Sequence, residues 1–241
     1  MTTSRLITTL AAVAVAAAFA GSAAAADRVL LDATTSSFDS LLGTSSGTVG
    51  GVLFQATGGN FTKGAGILGF TGFGVSGGTL NEIDIGETIS LSWGSLDPIK
   101  SFGVALLFNG PEFFDVAEVV KVKAFVGSTL SATGTLTVTS DTNAFWDLDG
   151  SSSSDQTITA LSNAAPGSAG AWRVFNPFGT LKYDTLEFGA VSGVCTNAPC
   201  SNDSDYALMD VTVVPEPQVF ALMLAGLSAM GFMARRRRQR N

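Results

Sequence analysis

Apolar and polar residues alternate with a period of two in many short runs, which are divided by Gly, Ser, Asn and Asp. The runs TGTLTVTS, SDQTITAL and YALMDVTVV each send every second side chain to one face, which is typical of half-buried strands. ETISLSW and SFGVALLF fit a half-buried and a fully buried strand. These runs predict an all-β fold, an antiparallel β-sandwich or jelly-roll-like domain, with little helix outside the two ends of the chain.

Two details of this pattern are specific enough to check. In YALMDVTVV, strict alternation places four side chains on one face: Ala207, Met209, Val211 and Val213. The glycine-rich stretch 43–78 predicts strands joined by tight turns, because apolar residues are spread through it. Its GFGVSG run has the spacing of a dinucleotide-binding loop, but strand periodicity follows it instead of a helix, so we expect a turn.

The N-terminus has the three parts of a secretory signal peptide. Arg5 is followed by the apolar run 6–19 and then by small residues that end in Ala24-Ala25-Ala26. This order predicts a signal peptide over residues 1–26, cleaved between Ala26 and Asp27.

The C-terminus predicts a membrane span. Residues 219–234 carry no charge and, as a helix, reach about 24 Å. That is short of the roughly 30 Å hydrocarbon core, but snorkelling side chains and local thinning allow a span. Arg235, Arg236, Arg237 and Arg238 follow directly, and such a cluster stays in the cytoplasm. We therefore expect a transmembrane helix in the inner membrane, with the body of the chain outside and the tail inside.

Pro215-Glu216-Pro217, the short apolar segment and the terminal arginines together resemble the PEP-CTERM sorting signal of Gram-negative bacteria. The resemblance implies recognition by exosortase, removal of the tail and transfer to the cell surface or the exopolysaccharide matrix. The predicted organisation is a signal peptide at 1–26, a β-sandwich domain at 27–214 and the sorting signal at 215–241. The segments GGTLNEIDIGETISLSW, LLFNGPEFFDVAEV and SDYAL also resemble a body type common in PEP-CTERM proteins, which implies fold and location but no activity.

Composition narrows the functions of the predicted body. Residues 27–214 carry 19 Asp and Glu against 7 Lys and Arg, a net charge of −12, which disfavours nucleic acid and anionic lipid as partners. The chain has no histidine, which excludes His-based triads, His-ligated zinc and imidazole catalysis. Carboxylate-pair chemistry remains open, with Glu82 and Glu112 as the one pair to nominate, but no catalytic constellation is recognisable and we expect no enzyme.

Cys195 and Cys200 enclose a four-residue loop, TNAP. In an oxidising compartment this spacing predicts a local disulfide that clips the loop. A metal site would need two further ligands close by.

Carboxylates form the candidate metal site. Calcium takes six to eight oxygen ligands, and it is the one cofactor these residues suit. The candidate ligands are Glu82, Asp84, Glu87, Glu112, Asp115, Glu118 and Asp205. Glu82 and Asp84 alternate with Ile83 and Ile85, so a strand would send both carboxylates to one face and both isoleucines into the core. The alternative is a solvated acidic rim without a bound ion.

Trp146, in the polar run NAFWDLDG, is the candidate exposed aromatic for stacking on a sugar ring. Three functions follow from these features. The first is a non-catalytic surface or matrix protein associated with exopolysaccharide or biofilm. The second is a calcium-dependent carbohydrate-binding module, and the third is a secreted glycan-acting enzyme.

Overall fold

The computed structural model describes residues 26–65, 69–109, 117–140, 142–149, 156–162, 169–193 and 204–215, with Gly226 and Ser228. The chain divides into two compact units: Asp27–Val214, and Met1–Ala26 together with Pro215–Asn241. The predicted signal peptide before Ala26 and the predicted disulfide between Cys195 and Cys200 lie outside the described residues. In the predicted span 219–234 only Gly226 and Ser228 are described, and both are helical. No helix in the described part of the chain is long and apolar enough to cross a membrane.

The body is built from antiparallel strands. In chain order the described strands are β1 (Arg28–Asp32), β2 (Ser46–Val49), β3 (Val52–Thr57), β4 (Phe61–Ala65), β5 (Thr71–Val75), β6 (Thr88–Phe108), β7 (Val119–Val126), β8 (Thr129–Ser140), β9 (Asn143–Leu148), β10 (Thr157–Ser162), β11 (Ala169–Phe175), β12 (Lys182–Val191) and β13 (Ala207–Val213). A 3-10 helix, Ser36–Leu41, joins β1 to β2. Every pairing between these strands is antiparallel, which confirms the predicted all-β class.

The strands form two groups that share β6. Its first half, 88–92, pairs with β3 and β12, and this group continues through β7 and β8 to β9. Its second half, 99–108, pairs with β11 and β13, and this group includes β1, β4, β5 and β10. ETISLSW and SFGVALLF are therefore the two halves of one 21-residue strand. The first half alternates buried and half-buried residues, and the second is buried from Ser101 to Leu107, as their patterns predict.

A bend in β6 separates the two halves. Gly94, Ser95 and Leu96 are exposed, Gly94 has a φ of 75°, and the Ser95 hydroxyl donates to the buried Asp97 carboxylate at 2.6 Å. Beyond the bend, β6 runs back, so that its last residues lie near the same end of the body as its first residues. The backbone oxygen of Phe108, at its end, accepts from the N–H of Glu118, and the next residue along the chain, Val119, pairs with β12 near the start of β6.

Because β6 bends and runs back, the body has two opposite ends. We call the end with the bend 94–97 the exit end, because Val214 lies there and donates its N–H to the oxygen of Pro98 at 3.0 Å. We call the opposite end the acidic end. It is defined by Glu82, Asp84, Glu87, Glu118 and Asp205.

Aromatic rings join the two groups of strands in one core. Phe102, from the second half of β6, lies 5.5 Å from Phe188 of β12 and 5.3 Å from Trp146 of β9, between ring centroids. Between ring centroids, Phe38 of the 3-10 helix lies 5.7 Å from Phe54 and 6.4 Å from Phe73. The core thus uses aromatic residues from strands that are far apart in the sequence, as the high Phe content leads one to expect.

A β-bulge changes the predicted alternation in β13. Leu208 pairs with Val104 and Asp210 with Gly103, so that Met209 has no partner residue on β6. Leu208 therefore joins Val211 and Val213 in the main core, while Met209 packs with a smaller cluster. The prediction that Met209 shares a face with Val211 and Val213 was wrong for this reason.

The NEIDIGE segment is irregular instead of a strand. Asn81 and Gly86 have φ values of 75° and 92°, which interrupt extended backbone on both sides. Ile83 is fully buried as predicted, but Ile85 is 42 % exposed and makes only an isolated bridge to Ala190.

Within the glycine-rich stretch 43–78, the predicted strands and turns are β2 to β5 and their connections. In the GFGVSG run, Gly72 and Gly74 lie on β5, and only Gly77 lies in the turn that we expected. A Cβ atom at Gly72 would collide with Ala207, and one at Gly74 would collide with the backbone between Asn81 and Glu82. These glycines allow close packing of the backbone.

Candidate functional site

Two chain segments meet at the acidic end. The loop between β5 and β6 is held against the start of β13, because the N–H of Ile83 donates to the oxygen of Tyr206 at 2.7 Å. The N–H of Val75 donates to the oxygen of Glu82 at 2.7 Å and fixes the other side of the loop. Glu82 and Asp205, which are 123 positions apart in the sequence, are brought into hydrogen-bond contact in this way.

Asp205 is a buried carboxyl group of this end. Burial raises its pKa above the usual value, and the negative charge of Asp84 acts in the same direction. Hydrogen bonds with Glu82, Thr79 and Glu118 oppose this rise. The acidic end therefore brings carboxyl groups from two distant chain segments together around Asp205.

The other carboxylates of this end accept hydrogen bonds from backbone N–H groups. Glu87 accepts from the N–H of Gly78 at 2.9 Å and from that of Asp84 at 3.0 Å. Asp84 accepts from the N–H of Thr79 at 2.7 Å. Glu118 accepts from the N–H of Phe108 at 2.6 Å and is buried. These contacts satisfy backbone donors in loops, which gives the carboxylates a structural role.

The structure brings part of the predicted calcium set together. Glu82, Asp84 and Glu118 each interact with Asp205, and Glu87 accepts from the N–H of Asp84 beside them. Glu112 and Asp115 lie outside the described residues. Within the described part of the chain, no group of three or more acidic, cysteine or histidine side chains is arranged to hold a metal ion. The full set of seven ligands stays a prediction.

Trp146 is buried, which corrects its prediction as an exposed sugar-stacking residue. It is only 2 % exposed, and its indole N–H donates to the oxygen of Pro177 at 2.8 Å. Its ring packs against Phe102 and Phe178, at 5.3 Å and 5.8 Å between centroids. NAFWDLDG forms strand β9 and its end, and the alternation of that strand turns Trp146 inwards and Phe145 outwards. The Asp149 carboxylate closes the strand end by accepting from the N–H of Thr133 at 2.7 Å.

A polar groove of about 210 Å³ lies on the outer face of β6, β7 and β12. It exists because Gly189 sits opposite Lys121 on one side and Thr88 on the other, and a glycine leaves the space of a side chain empty. In the next row along the strands, Lys123 forms an ion pair with Glu187 at 2.7 Å. Lys121 has no ion-pair partner among the described residues, so its ammonium group is available to a ligand in the groove.

The sequence analysis did not identify this groove. The alternation in VVKVKAF is visible in the sequence, and it places Lys121 and Lys123 on one face of the strand. The contribution of Gly189 depends on strand register across β7 and β12, which lie far apart in the sequence.

The two predicted processing sites adjoin β1 and β13, which reach the exit end. Ala26 and Asp27, the predicted signal-peptide cleavage site, are exposed immediately before β1, and Asp27 forms an ion pair with Lys100. β13 ends at Val213, and Pro215, the first residue of Pro215-Glu216-Pro217, is described. Glu216, Pro217 and the arginine cluster lie outside the described residues.

Comparison with protein families identifies the C-terminal segment. A model of the PEP-CTERM protein-sorting motif matches residues 213–238. The chain matches none of the curated proteins and none of the solved structures with which it was compared. The match includes Pro215-Glu216-Pro217, the apolar run and the arginine cluster, and it implies that the chain is an exported substrate of exosortase. The chain therefore carries a PEP-CTERM protein-sorting motif at residues 213–238.

Proposed function

We propose that this chain is a surface or extracellular-matrix protein whose β-sandwich or jelly-roll body has a non-catalytic role in association with exopolysaccharide. The observation that carries the proposal is the sorting motif at residues 213–238, because it directs delivery to the cell surface and is attached directly to the last strand of the body. A signal peptide at 1–26 and an inner-membrane stage before tail removal complete the route.

The body is suited to a binding or structural role. The core draws side chains from both groups of strands, and thirteen antiparallel strands in the described residues make a rigid scaffold. The outer face that carries the groove is lined by hydroxyl, ammonium and carboxylate groups, which are the groups that hydrogen-bond sugar hydroxyls. In the groove, Lys121 would pair with a carboxylate-bearing sugar, and Thr88 and Glu187 would bond hydroxyl groups.

The experiment is retention of the purified protein on exopolysaccharide from its source strain, measured against Lys121→Ala. A matched control is Lys182→Ala, which removes the same charge at the exit end of the body. We expect saturable retention that Lys121→Ala weakens about tenfold and Lys182→Ala leaves unchanged, since one charge-assisted contact contributes about 1.5–3 kcal/mol. Equal retention of all three proteins would reject the groove as the binding site. No retention of any of them would reject association with that polymer.

Calcium-dependent carbohydrate binding is the second candidate. The observation that favours it is the burial of Asp205 beside Glu82, Asp84 and Glu118, since a cation would offset the negative charge gathered there. Retention measured with calcium and then with a chelator separates the two candidates. Loss of retention in chelator supports the calcium-dependent module, and unchanged retention supports binding without the ion.

A further inference from the structure

The exposed apolar side chains of the body are unevenly distributed. Ten large apolar side chains are exposed in the described residues, and six of them lie at the exit end. These six, the exit-end apolar set, are Val29, Leu53, Leu96, Val126, Leu130 and Leu181. The most exposed is Leu181, at 58 %. Isolated exposed leucines are ordinary, but a collection at one end of a domain indicates a surface that contacts something apolar.

Strand pairing establishes that these residues share one end. Leu181 precedes Lys182, which pairs with Pro98, and Leu96 lies in the bend two residues before that proline. Leu53 pairs with Ser92, directly before the bend. Val29 pairs with Thr212 near the end of β13.

The hairpin between β7 and β8 adds the remaining two members of the set. Val126 and Leu130 flank its turn. That turn is held at the exit end because the N–H of Gly127 donates to the Asp184 carboxylate at 2.8 Å, and Asp184 lies opposite the bend in β6.

The chain leaves the body at this same end. Val213 pairs with Ile99, and the N–H of Val214 donates to the oxygen of Pro98. Only residues 215–218 separate Val214 from the apolar run 219–234. Four residues span at most about 14 Å when fully extended, so an anchored chain keeps the exit end close to the lipid.

The five carboxylates of the acidic end lie away from the exit end. Asp205 precedes β13 and Val213 ends it, a separation of about 25 Å along an extended strand. At the exit end the basic residues Arg28, Lys100 and Lys182 accompany the acidic residues Asp27, Asp97 and Asp184. Basic and acidic side chains therefore balance there, and the exit end opposes contact with anionic headgroups less than the acidic end does.

We propose that the exit-end apolar set docks on the outer surface of the lipid bilayer while the sorting segment is still attached, so that the body rests on the membrane until the tail is removed. This inference rests on the membrane-anchored stage of the proposed function. Removal of the tail ends the tether, and the apolar set alone then gives weak and reversible contact.

Brominated-lipid quenching of an added tryptophan tests the proposal. The full chain is purified from membranes of a host without exosortase and reconstituted in phosphatidylcholine–phosphatidylglycerol vesicles, with or without brominated acyl chains. Leu181→Trp places the probe in the exit-end apolar set. Leu80→Trp is the matched control, because Leu80 is 66 % exposed in the loop of the acidic end. The native Trp93, Trp146 and Trp172 are at most 5 % exposed and give a constant background.

A tryptophan at the exit end would lie at the membrane interface. We therefore expect brominated lipid to lower the fluorescence of the introduced tryptophan about twofold in Leu181→Trp and to leave it unchanged in Leu80→Trp. Leu96→Trp repeats the test at a second member of the set and protects the result against misfolding of one variant. Equal emission in the two vesicle types for both exit-end variants, in chains that float with the vesicles, would overturn docking and leave the anchored stage intact. Chains that do not float with the vesicles would overturn the anchored stage and docking together.

Discussion

Replacement of Trp146 by alanine distinguishes a core role for this residue from a sugar-binding role. The buried ring fills the space between Phe102 and Phe178, and its closest approach to β8 is at Gly134, where a Cβ atom would overlap the ring. Trp146→Ala leaves a cavity there and also removes the donor to the oxygen of Pro177. Removal of a buried tryptophan costs about 3–5 kcal/mol.

That loss is large compared with the total stability of a domain, about 5–15 kcal/mol. With a urea dependence of about 2 kcal/mol per molar, the unfolding midpoint should fall by about 1.5–2.5 M. The assay is urea unfolding of the body followed by far-ultraviolet circular dichroism. Trp146→Phe keeps part of the ring but loses the hydrogen bond, so it should fall between the wild type and Trp146→Ala.

Phe145→Ala is the control, because Phe145 neighbours Trp146 but is 47 % exposed. It should change the free energy of unfolding by no more than about 0.5 kcal/mol. Polysaccharide retention per mole of folded protein should be the same for Trp146→Ala and the wild type. A Trp146→Ala variant with unchanged stability and lost retention would refute the core assignment and restore the sugar-stacking role.

Three further predictions concern the acidic end and the loop beside it. Burial raises the pKa of Asp205, so the folded body binds a proton more tightly than the unfolded chain does. The free energy of unfolding should therefore fall as pH rises above about 4 and through the raised pKa, and Asp205→Asn should flatten that part of the plot of urea midpoint against pH. Glu87→Ala should lower the free energy of unfolding by about 2–4 kcal/mol, because two backbone N–H groups lose their acceptor. Glu87→Gln keeps a side-chain oxygen and should lower it less, so equal losses in the two variants would contradict the acceptor role. Gly74→Ala should cost about 1–3 kcal/mol in the same assay, since its methyl group meets loop backbone, and an unchanged midpoint would show that the loop is not packed there.

The strands were readable from the sequence because the period of two reports burial on one face of a sheet. β8 shows this directly: Leu136 and Val138 are fully buried and the threonines between them are not. The same period was present around Trp146, since Ala144 and Leu148 also face the core. The polar residues of NAFWDLDG hid that signal and led to the wrong prediction of an exposed ring.

Other features depend on contacts that a linear pattern does not contain. The bulge at Met209 arises from register against β6, and the groove beside Lys121 arises from the position of Gly189 on a neighbouring strand. The structure places Glu82, Asp84, Glu87, Glu118 and Asp205 at one end, and their role as calcium ligands stays a prediction. Acceptance of backbone N–H groups by Glu87 and Glu118 could not be predicted from the sequence, because it depends on where the loops pass.

Sorting by exosortase is the central claim, and the intact mass of the chain tests it most directly. The protein would be isolated from the source strain and from a strain in which exosortase is deleted, and both masses compared with the sequence. Sorting predicts that the chain from the parent strain lacks the arginine-containing tail and that the deletion strain accumulates the longer chain in its membranes. The same mass in both strains, with the tail still attached, would contradict it.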